Sequence, residues 1–433
     1  MTAWIGDTFR SDVGWDHLET LVDVGSRMAG SEGERDAAER TRRALATYAD
    51  DARLEEFDLQ GWRRESTTIS TPDGDETGIA LPRSPNGAVA GELIDLGHGI
   101  PEDFEETDIE DAVVVVSSDV PDWYDRFVHR REKYYRAARE GAAGFLFRNH
   151  YEGCLPPTGS VGTVDSPIGP IPAVGVSKEV GARLSRRYEG REVGLDVATE
   201  TFDATSQNVH AELGPDTGEE VLVTSHVDAH DVAEGALDNG AGTAMVVELA
   251  RVLAERESEL DARVHFVAFG AEEVGLVGSR YDADRRDLDD IKVVLNLDGV
   301  VQSRTLSAHT HGFDGLERIV DEVAADFDHP FYTNPEMGPH SDHWPYVQWG
   351  VPGYHVASRT GDEGRGWGHT GGDTLDKLER RTFREQAILL AELAVRLAGY
   401  GFSVARASPE DVAAALEAEG TAEGMKVTGD WPY

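Results

Sequence analysis

The feature that most constrains the fold is a series of apolar strands in the second half of the chain, each ending on a residue that binds protons or cations. VLVTS runs into His226, VHFVAF into Glu272 and Glu273, and VVLNL into Asp298. Helical periodicity fills the intervals, notably from about Gly240 to Ala254 and from about Asp376 to Leu397. This alternation predicts an α/β fold, a mostly parallel, mixed sheet sandwiched by helices. In such sheets the ligand crevice lies off the C-terminal strand ends. His226, the two glutamates and Asp298 are therefore expected at one edge.

The residue types suit metal-assisted hydrolysis. His226 and Asp228 stand two apart, so in an extended chain they point the same way, and a metal-bound imidazole usually donates its other N–H to a carboxylate. Asp238, in ALDNGAG just ahead of a helix, is either a helix cap or a carboxylate bridging two ions, with glycines that let the backbone approach them. Neighbouring side chains at Glu272 and Glu273 diverge, so one binds metal while the other moves a proton. Two-metal hydrolysis needs that division, with cations about 3.5–4 Å apart. His369 lies in the glycine-rich GWGHTGGDTLDKL, where Asp373 or Thr374 is the expected cap of the last long helix. Each residue alone has an ordinary cap, loop or surface explanation. Together, three carboxylate ligands and Glu272 balance the charge of two divalent ions, so chelation is expected to lower both activity and stability.

The rest of the chain divides around this region. Residues 15–50 carry helical periodicity, broken at GSRMAGSEGE, where Ser31 is placed to cap a second helix. From about Ser66 to Ala204 the strands AVVVV, GFLF, PAVGV and VGLDVA alternate with helices across RFVHRREKYYRAARE and KEVGARLSRR. The expected units are residues 1–65 and 205–405 as two parts of one domain, 66–204 as an insert, and 406–433 as an extension with one short helix.

In this order and spacing, SHVDAH, ALDNGAG, GAEEVGLVGS, NLDGV and GHTGGDT resemble the M28 family of zinc metallopeptidases, the leucyl aminopeptidase and glutamate carboxypeptidase group, over about residues 205–400. The resemblance implies a zinc exopeptidase (phosphorylase/hydrolase-like) fold with two Zn2+ per chain. Asp238 would bridge them, His226 and Asp298 would complete one site, and Glu273 and His369 the other. Glu272 would be the general base on a water between the ions, with Asp228 behind His226. HSDHWPYVQWGVPGYH resembles the family's stretch near the active site, so Ser341, Asp342 and His343 are expected to contact substrate. The insert looks like a protease-associated domain. The implied activity is cleavage of N-terminal peptide bonds. Two alternatives stay open: a carboxypeptidase, with Arg359 and Arg365 as donors to a terminal carboxylate, and a receptor-like binding protein on the same scaffold. Trp344, Trp349 and Trp367 are candidates to line a side-chain pocket. Asp238-Asn239-Gly240 departs from the Asp-x-Lys-Gly-Gly pattern of the related M20 group.

Composition narrows the partners. The 82 acidic and 40 basic residues give a net charge of -42, which disfavours nucleic acid and anionic membrane surfaces and leaves a peptide as the expected partner. Only Lys133, Lys178, Lys292, Lys377 and Lys426 are lysines, and acid enrichment with lysine depletion suggests adaptation to high salt. A single cysteine, Cys154, allows no internal disulfide and is expected in the core. The opening MTAWIGDTFRSD has no basic start followed by an apolar run, so the expected location is the cytoplasm. Oligomeric state has no signature in the sequence.

Overall fold

A computed structural model describes residues 3–360 and 366–433. Its centre is three adjacent parallel strands, with Glu220–His226 between Arg263–Phe269 and Ile291–Leu297. They are apolar and buried along nearly their whole length, as strands covered on both faces must be. Gly353–Ser358 continues the sheet in parallel beside Ile291–Leu297, followed by Leu306–His309, antiparallel, and Phe331–Asn334 at the edge. Ala241–Glu255 packs beneath the central strands with Val13–Val22, Glu32–Leu45 and Arg380–Ala398 around it. Thirteen of its 15 residues are buried, so this helix is core rather than cover.

Two 22-residue strands, Asp50–Thr71 and Glu192–Leu213, pair antiparallel and extend the sheet beyond this core. The near end of Glu192–Leu213 pairs with Arg263–Phe269, and its far end with Gly87–Asp95. From there Val113–Ser117, Gly144–Arg148 and Ala173–Val176 follow in parallel. One 14-stranded sheet therefore runs through both parts of the molecule. Residues 66 and 204 fall inside these continuous strands, which stay paired with each other through both positions.

Ser31 caps its helix as expected, accepting from the Glu34 N–H at 3.1 Å. Other local expectations are corrected. The last long helix is Arg380–Ala398, which starts after Glu379 without a side-chain cap and is preceded by a 3-10 turn at Leu375–Lys377, so neither Asp373 nor Thr374 caps it. The C-terminal extension holds two helices, Pro409–Ala418 and Thr421–Thr428, separated by Gly420 at φ 73°. Val412, Leu416, Ala422 and Met425 join the main core. Thr421–Thr428 also packs on the insert helix Arg130–Arg139, with Arg131 pairing Asp430 at 2.9 Å. Cys154 is exposed, not core. Among the described residues, no helix is long and apolar enough to cross a membrane.

Candidate active site

Because the three central strands are parallel and adjacent, their C-terminal ends deliver His226, the turn 270–273 and Asp298 to one place. Asp238 arrives from the single turn Ala236–Gly240 ahead of the buried helix, after the left-handed Gly235. The Asp238–Asn239 peptide is cis. Asn239 locks the turn, its Nδ2 donating to Leu297 O and its Oδ1 accepting from Gly242 N. His369 comes from the loop after Gly353–Ser358, with φ 55°.

The donors form two groups joined by one carboxylate. Asp238 Oδ1 lies 3.2 Å from His226 Nε2, and Oδ2 lies 2.9 Å from His369 Nε2. On the first side, His226 Nε2 is 3.7 Å from Asp298 Oδ1 and 3.9 Å from Glu272 Oε2. On the second, Glu273 Oε2 is 3.4 Å from His369 Nε2 and 2.8 Å from His230 Nε2. His226–Glu272–Asp298 and His230–Glu273–His369 each converge tightly enough to hold an ion. The buried atoms Glu273 Oε1 and His230 Nδ1 make no hydrogen bond, and the Nε2 atoms of His226 and His230 face carboxylate oxygens off the hydrogen-bonding direction. Unsatisfied buried donors and acceptors cost about 1–3 kcal/mol each, so their convergence fits cations held between them.

His230 was missed by sequence reasoning. Its signal was a second imidazole four residues after His226, in SHVDAH, and the chain folds back at Asp231 so that this ring stands edge-on to His369, centroids 4.7 Å apart.

Neighbouring glutamates are tuned in opposite directions. Burial raises the Glu272 pKa well above the usual carboxylate range, with Glu273, Asp342 and Asp298 adding to the rise against the pull of His226. Burial acts on Glu273 too, but His230 and His369 override it and hold this carboxyl far below its ordinary value. Adjacent acids with diverging pKa values suit two roles, one a proton carrier and one a permanent anion. His226 is pulled down by burial, yet Glu272, Asp228, Asp238 and Asp298 together raise it well above 6.5.

Buried polar groups hold these residues from behind. The Asp228 carboxylate accepts from the backbone N–H of Glu272 at 3.0 Å and of Glu273 at 3.2 Å. His226 Nδ1 is nearer the Asp228 carbonyl, at 3.1 Å, than its carboxylate, at 3.5 Å. The expected orienting role is thus split: the Asp228 main chain serves His226, and its side chain fixes the glutamate turn. Glu34, fully buried, accepts from Ala271 N at 3.0 Å and Ser206 Oγ at 2.7 Å. Asp373 bonds the N–H groups of Leu237 and Asp238. Arg27, with no exposed surface, donates to the carbonyls of Leu21, Val227, Glu234 and Gly235. Burial lowers its pKa to about 10, so it remains a cation beneath the carboxylates.

The expected substrate contacts fall elsewhere. Ser341 donates to Asp298 Oδ2 at 2.7 Å and accepts from Asn296 Nδ2, which makes it a support for Asp298. Asp342 and His343 are fully buried and do not line the cleft, because the chain turns inward after His340. Arg359 is exposed and lies over the Tyr332 ring at 4.2 Å, away from the cleft; Arg365 lies outside the described residues. Trp367 packs on the main core with Lys377 over its ring, Trp344 is buried, and Trp349 stacks edge-on with Tyr433. None of the three lines the cleft.

The cleft itself, of about 500 Å³, joins the two parts of the molecule. Asp238, Glu272, Glu273, Asp298 and His369 form its floor, and the insert supplies a wall that includes Phe127, His129, Arg130, Phe147 and Asn149. The insert also grips the floor, since Thr158 N donates to His369 O at 2.7 Å and Pro157 bridges to Thr370.

Comparison with known proteins agrees with this arrangement. Residues 208–394 match the model of peptidase family M28, and residues 86–184 match the PA domain. Aminopeptidase YwaD of Bacillus subtilis is 28% identical over 387 residues, covering 85% of this chain and 80% of that protein. The structure of the zinc aminopeptidase BSAP from Bacillus subtilis superposes with a TM-score of 0.70 at 24% identity, over 90% of this chain and 95% of that one. A peptidase M28 precursor from Shewanella amazonensis gives 0.77 at 22% identity, over 93% and 97%. Strand-end donors, buried support and both matches lead to one conclusion: the chain carries a peptidase family M28 domain over residues 208–394 together with an inserted PA domain over residues 86–184.

Proposed function

We propose that this chain is a two-zinc aminopeptidase in which Asp238 bridges the ions, His226 and Asp298 complete one site, and Glu273 and His369 complete the other. The observation that carries this reading is the Asp238 carboxylate, whose two oxygens each face a different histidine at 3.2 and 2.9 Å. His230 joins the second set, beside Glu273. Zinc is the ion because imidazole and carboxylate donors suit it, and a structural relative is a zinc aminopeptidase. When bound, a pair of such ions polarises the scissile carbonyl and acidifies water.

The protein's own part is proton movement and positioning. Glu272 faces the first donor set with a raised proton affinity, suited to take a proton from water and return it to the leaving amine. Asp228 and Glu34 hold three successive backbone N–H groups, 271–273, so Glu272 and Glu273 keep their separate directions. Phe127, Phe147 and Leu276 give the cleft an apolar stretch for a side chain.

Aminopeptidase is preferred over carboxypeptidase because, among the described residues, the cations lining the cleft are already engaged: Arg130 donates to Ser160 O and Arg131 pairs with Asp430. Arg359, on the Tyr332 ring, lies away from it. The test is metal content together with hydrolysis of aminoacyl anilides, N-blocked peptides and C-blocked peptides. Two zincs with cleavage of free-amino substrates alone support the reading; cleavage of N-blocked peptides from the carboxyl end, or no hydrolysis at all, overturns it. The reading includes a high-salt cytoplasm as the setting, supported by the charge of -42 and the five lysines, and testable by activity and stability in molar KCl.

A further inference from the structure

A second set of metal-type donors lies at the opposite end of the same strands. Arg53 pairs with His210, and Glu212 with His265, across neighbouring strands, so Glu55, His210 and His265 share one face of the sheet. His265 precedes Phe269 by four residues, and Phe269 pairs with His226, which puts this set roughly 13 Å along the strand from the catalytic donors. Helix Val277–Ala283, which follows the Glu272–Glu273 turn, brings Asp282 over the same face. One donor atom each from Glu55, His210 and Asp282 lie within 4.8 Å of one another. His210 is 1% exposed and Asp282 4%.

The hydrogen bonds aim His210 at this point. Glu220 Oε2 lies 3.1 Å from His265 Nδ1, and His265 Nε2 lies 3.2 Å from His210 Nδ1. The guanidinium of Arg286 lies on the same ring, its Nη2 3.2 Å from His265 Nδ1 and 3.4 Å from Nε2. At the other end of this chain of contacts the buried His210 Nε2 makes no hydrogen bond. It sits 3.4 Å from Glu55 Oε2, the separation expected of two ligands about 2.0–2.1 Å from a common tetrahedral ion. A ligating histidine whose other nitrogen is anchored through a partner to a carboxylate is the usual support for a metal.

Arg286 shapes the set without closing it. Its Nε and the Tyr346 hydroxyl both engage Asp282 Oδ2, which leaves Oδ1 for a further partner. Seven carboxylates against four arginines line the surrounding depression of about 350 Å³, so its field favours a cation.

We propose that Glu55, His210 and Asp282 bind a divalent transition-metal ion, separate from the catalytic centre, that pins the two long strands to helix Val277–Ala283. Imidazole with two carboxylates suits zinc, and water completes the coordination on the open side. The ion would tie Asp50–Thr71 and Glu192–Leu213 to the element that continues from the catalytic turn.

Zinc itself is the probe. Wild type, Glu55→Ala, His210→Gln and the double variant His226→Ala/His369→Ala are equilibrated at low micromolar free zinc, and bound metal is counted. The expected result is one zinc fewer in Glu55→Ala and in His210→Gln than in wild type, with peptide hydrolysis at excess zinc unchanged. The double variant, which damages only the catalytic centre, should still lose one further zinc when Glu55→Ala is added, so the outcome stands whether or not the catalytic reading does. Zinc should also raise the wild-type unfolding temperature more than that of Glu55→Ala. Glu55 is partly exposed, with 38% of its side chain accessible, so its replacement decides the matter even if His210→Gln fails to fold. Equal zinc content in wild type and Glu55→Ala overturns the proposal and leaves an ordinary His210–Glu55 ion pair.

Discussion

His226 and His343 are both buried close to the site, His226 facing Asp298 directly and His343 stacked on His355, which itself lies against Asp298, yet their surroundings drive them apart. His226 faces the carboxylates of Asp228, Asp238, Glu272 and Asp298, and these outweigh burial and raise its pKa. His343 belongs to a stack of imidazoles, with ring centroids 4.6 Å from His311 and 5.2 Å from His355. Burial lowers His311 and His343 well below 6.5, and their like-natured neighbours add to the effect. The contrast teaches that a buried imidazole declares its job through its neighbours: among carboxylates it becomes a cation-site donor, and among other imidazoles a neutral packing ring.

The largest effect expected along this contrast is at Glu272. Glu272→Gln should reduce kcat by about 10²–10⁴-fold, the range for loss of a general base, with zinc content unchanged by elemental analysis. Loss of zinc instead would place Glu272 among the ligands and redraw the carboxylate side. Next is Asp228→Asn, which weakens the hold on both glutamate N–H groups; zinc affinity, measured by competition with a chelator, should fall about 10–100-fold. Glu272 and Asp228 thus test the charged half in turn.

The neutral half should show itself in acid. A histidine whose folded pKa lies below its unfolded value gives its full stabilisation above pH 6.5 and loses it as pH falls from 6.5 toward the folded pKa. Each such ring contributes a slope of about 1.4 kcal/mol per pH unit. His311 and His343 fall in this class, as does His17, lowered to about 4 by burial and by Arg27 and Arg40. Urea unfolding in saturating zinc should therefore lose stability between pH 6.5 and 5. His311→Phe should flatten that slope while keeping zinc and activity at neutral pH, and an unchanged slope would remove the stack from the account. The smallest effect concerns the wall of the cleft. Glu423→Gln removes a half-exposed partner of Arg126 and Arg136 and should cost about 0–1 kcal/mol, shrinking further in molar salt when thermal unfolding is followed.

The contrast also explains what was legible in the sequence. His226, Glu272, Glu273 and Asp298 are legible because parallel strands must end together, and strand ends are visible as apolar runs; Asp238 and His369, on a turn and a loop, are legible only through the order and spacing of the motifs that resemble the M28 family. The helix-rich half, the capping Ser31 and the insert's strands follow from local periodicity. His230 escaped because its place depends on a loop closing over Glu273, and loops carry no period. Ser341, Asp342 and His343 were put in the cleft because proximity in sequence to a site says nothing about which way a chain turns. Glu34, Arg27 and Asp373 were invisible for a related reason: a buried charge becomes meaningful only once the distant backbone atoms it satisfies are brought to it. The joining of insert and core by 22-residue strands was hidden by their mixed exposure, which breaks the apolar pattern halfway.

The tether between the chain's end and the insert has a consequence for synthesis. Arg126 and Glu423 lie 297 positions apart yet meet beside the cleft, and Arg131 waits for Asp430. A growing chain can fold its early strands and helices as they emerge, but this fastening of the insert waits until residues 423–430 have been made.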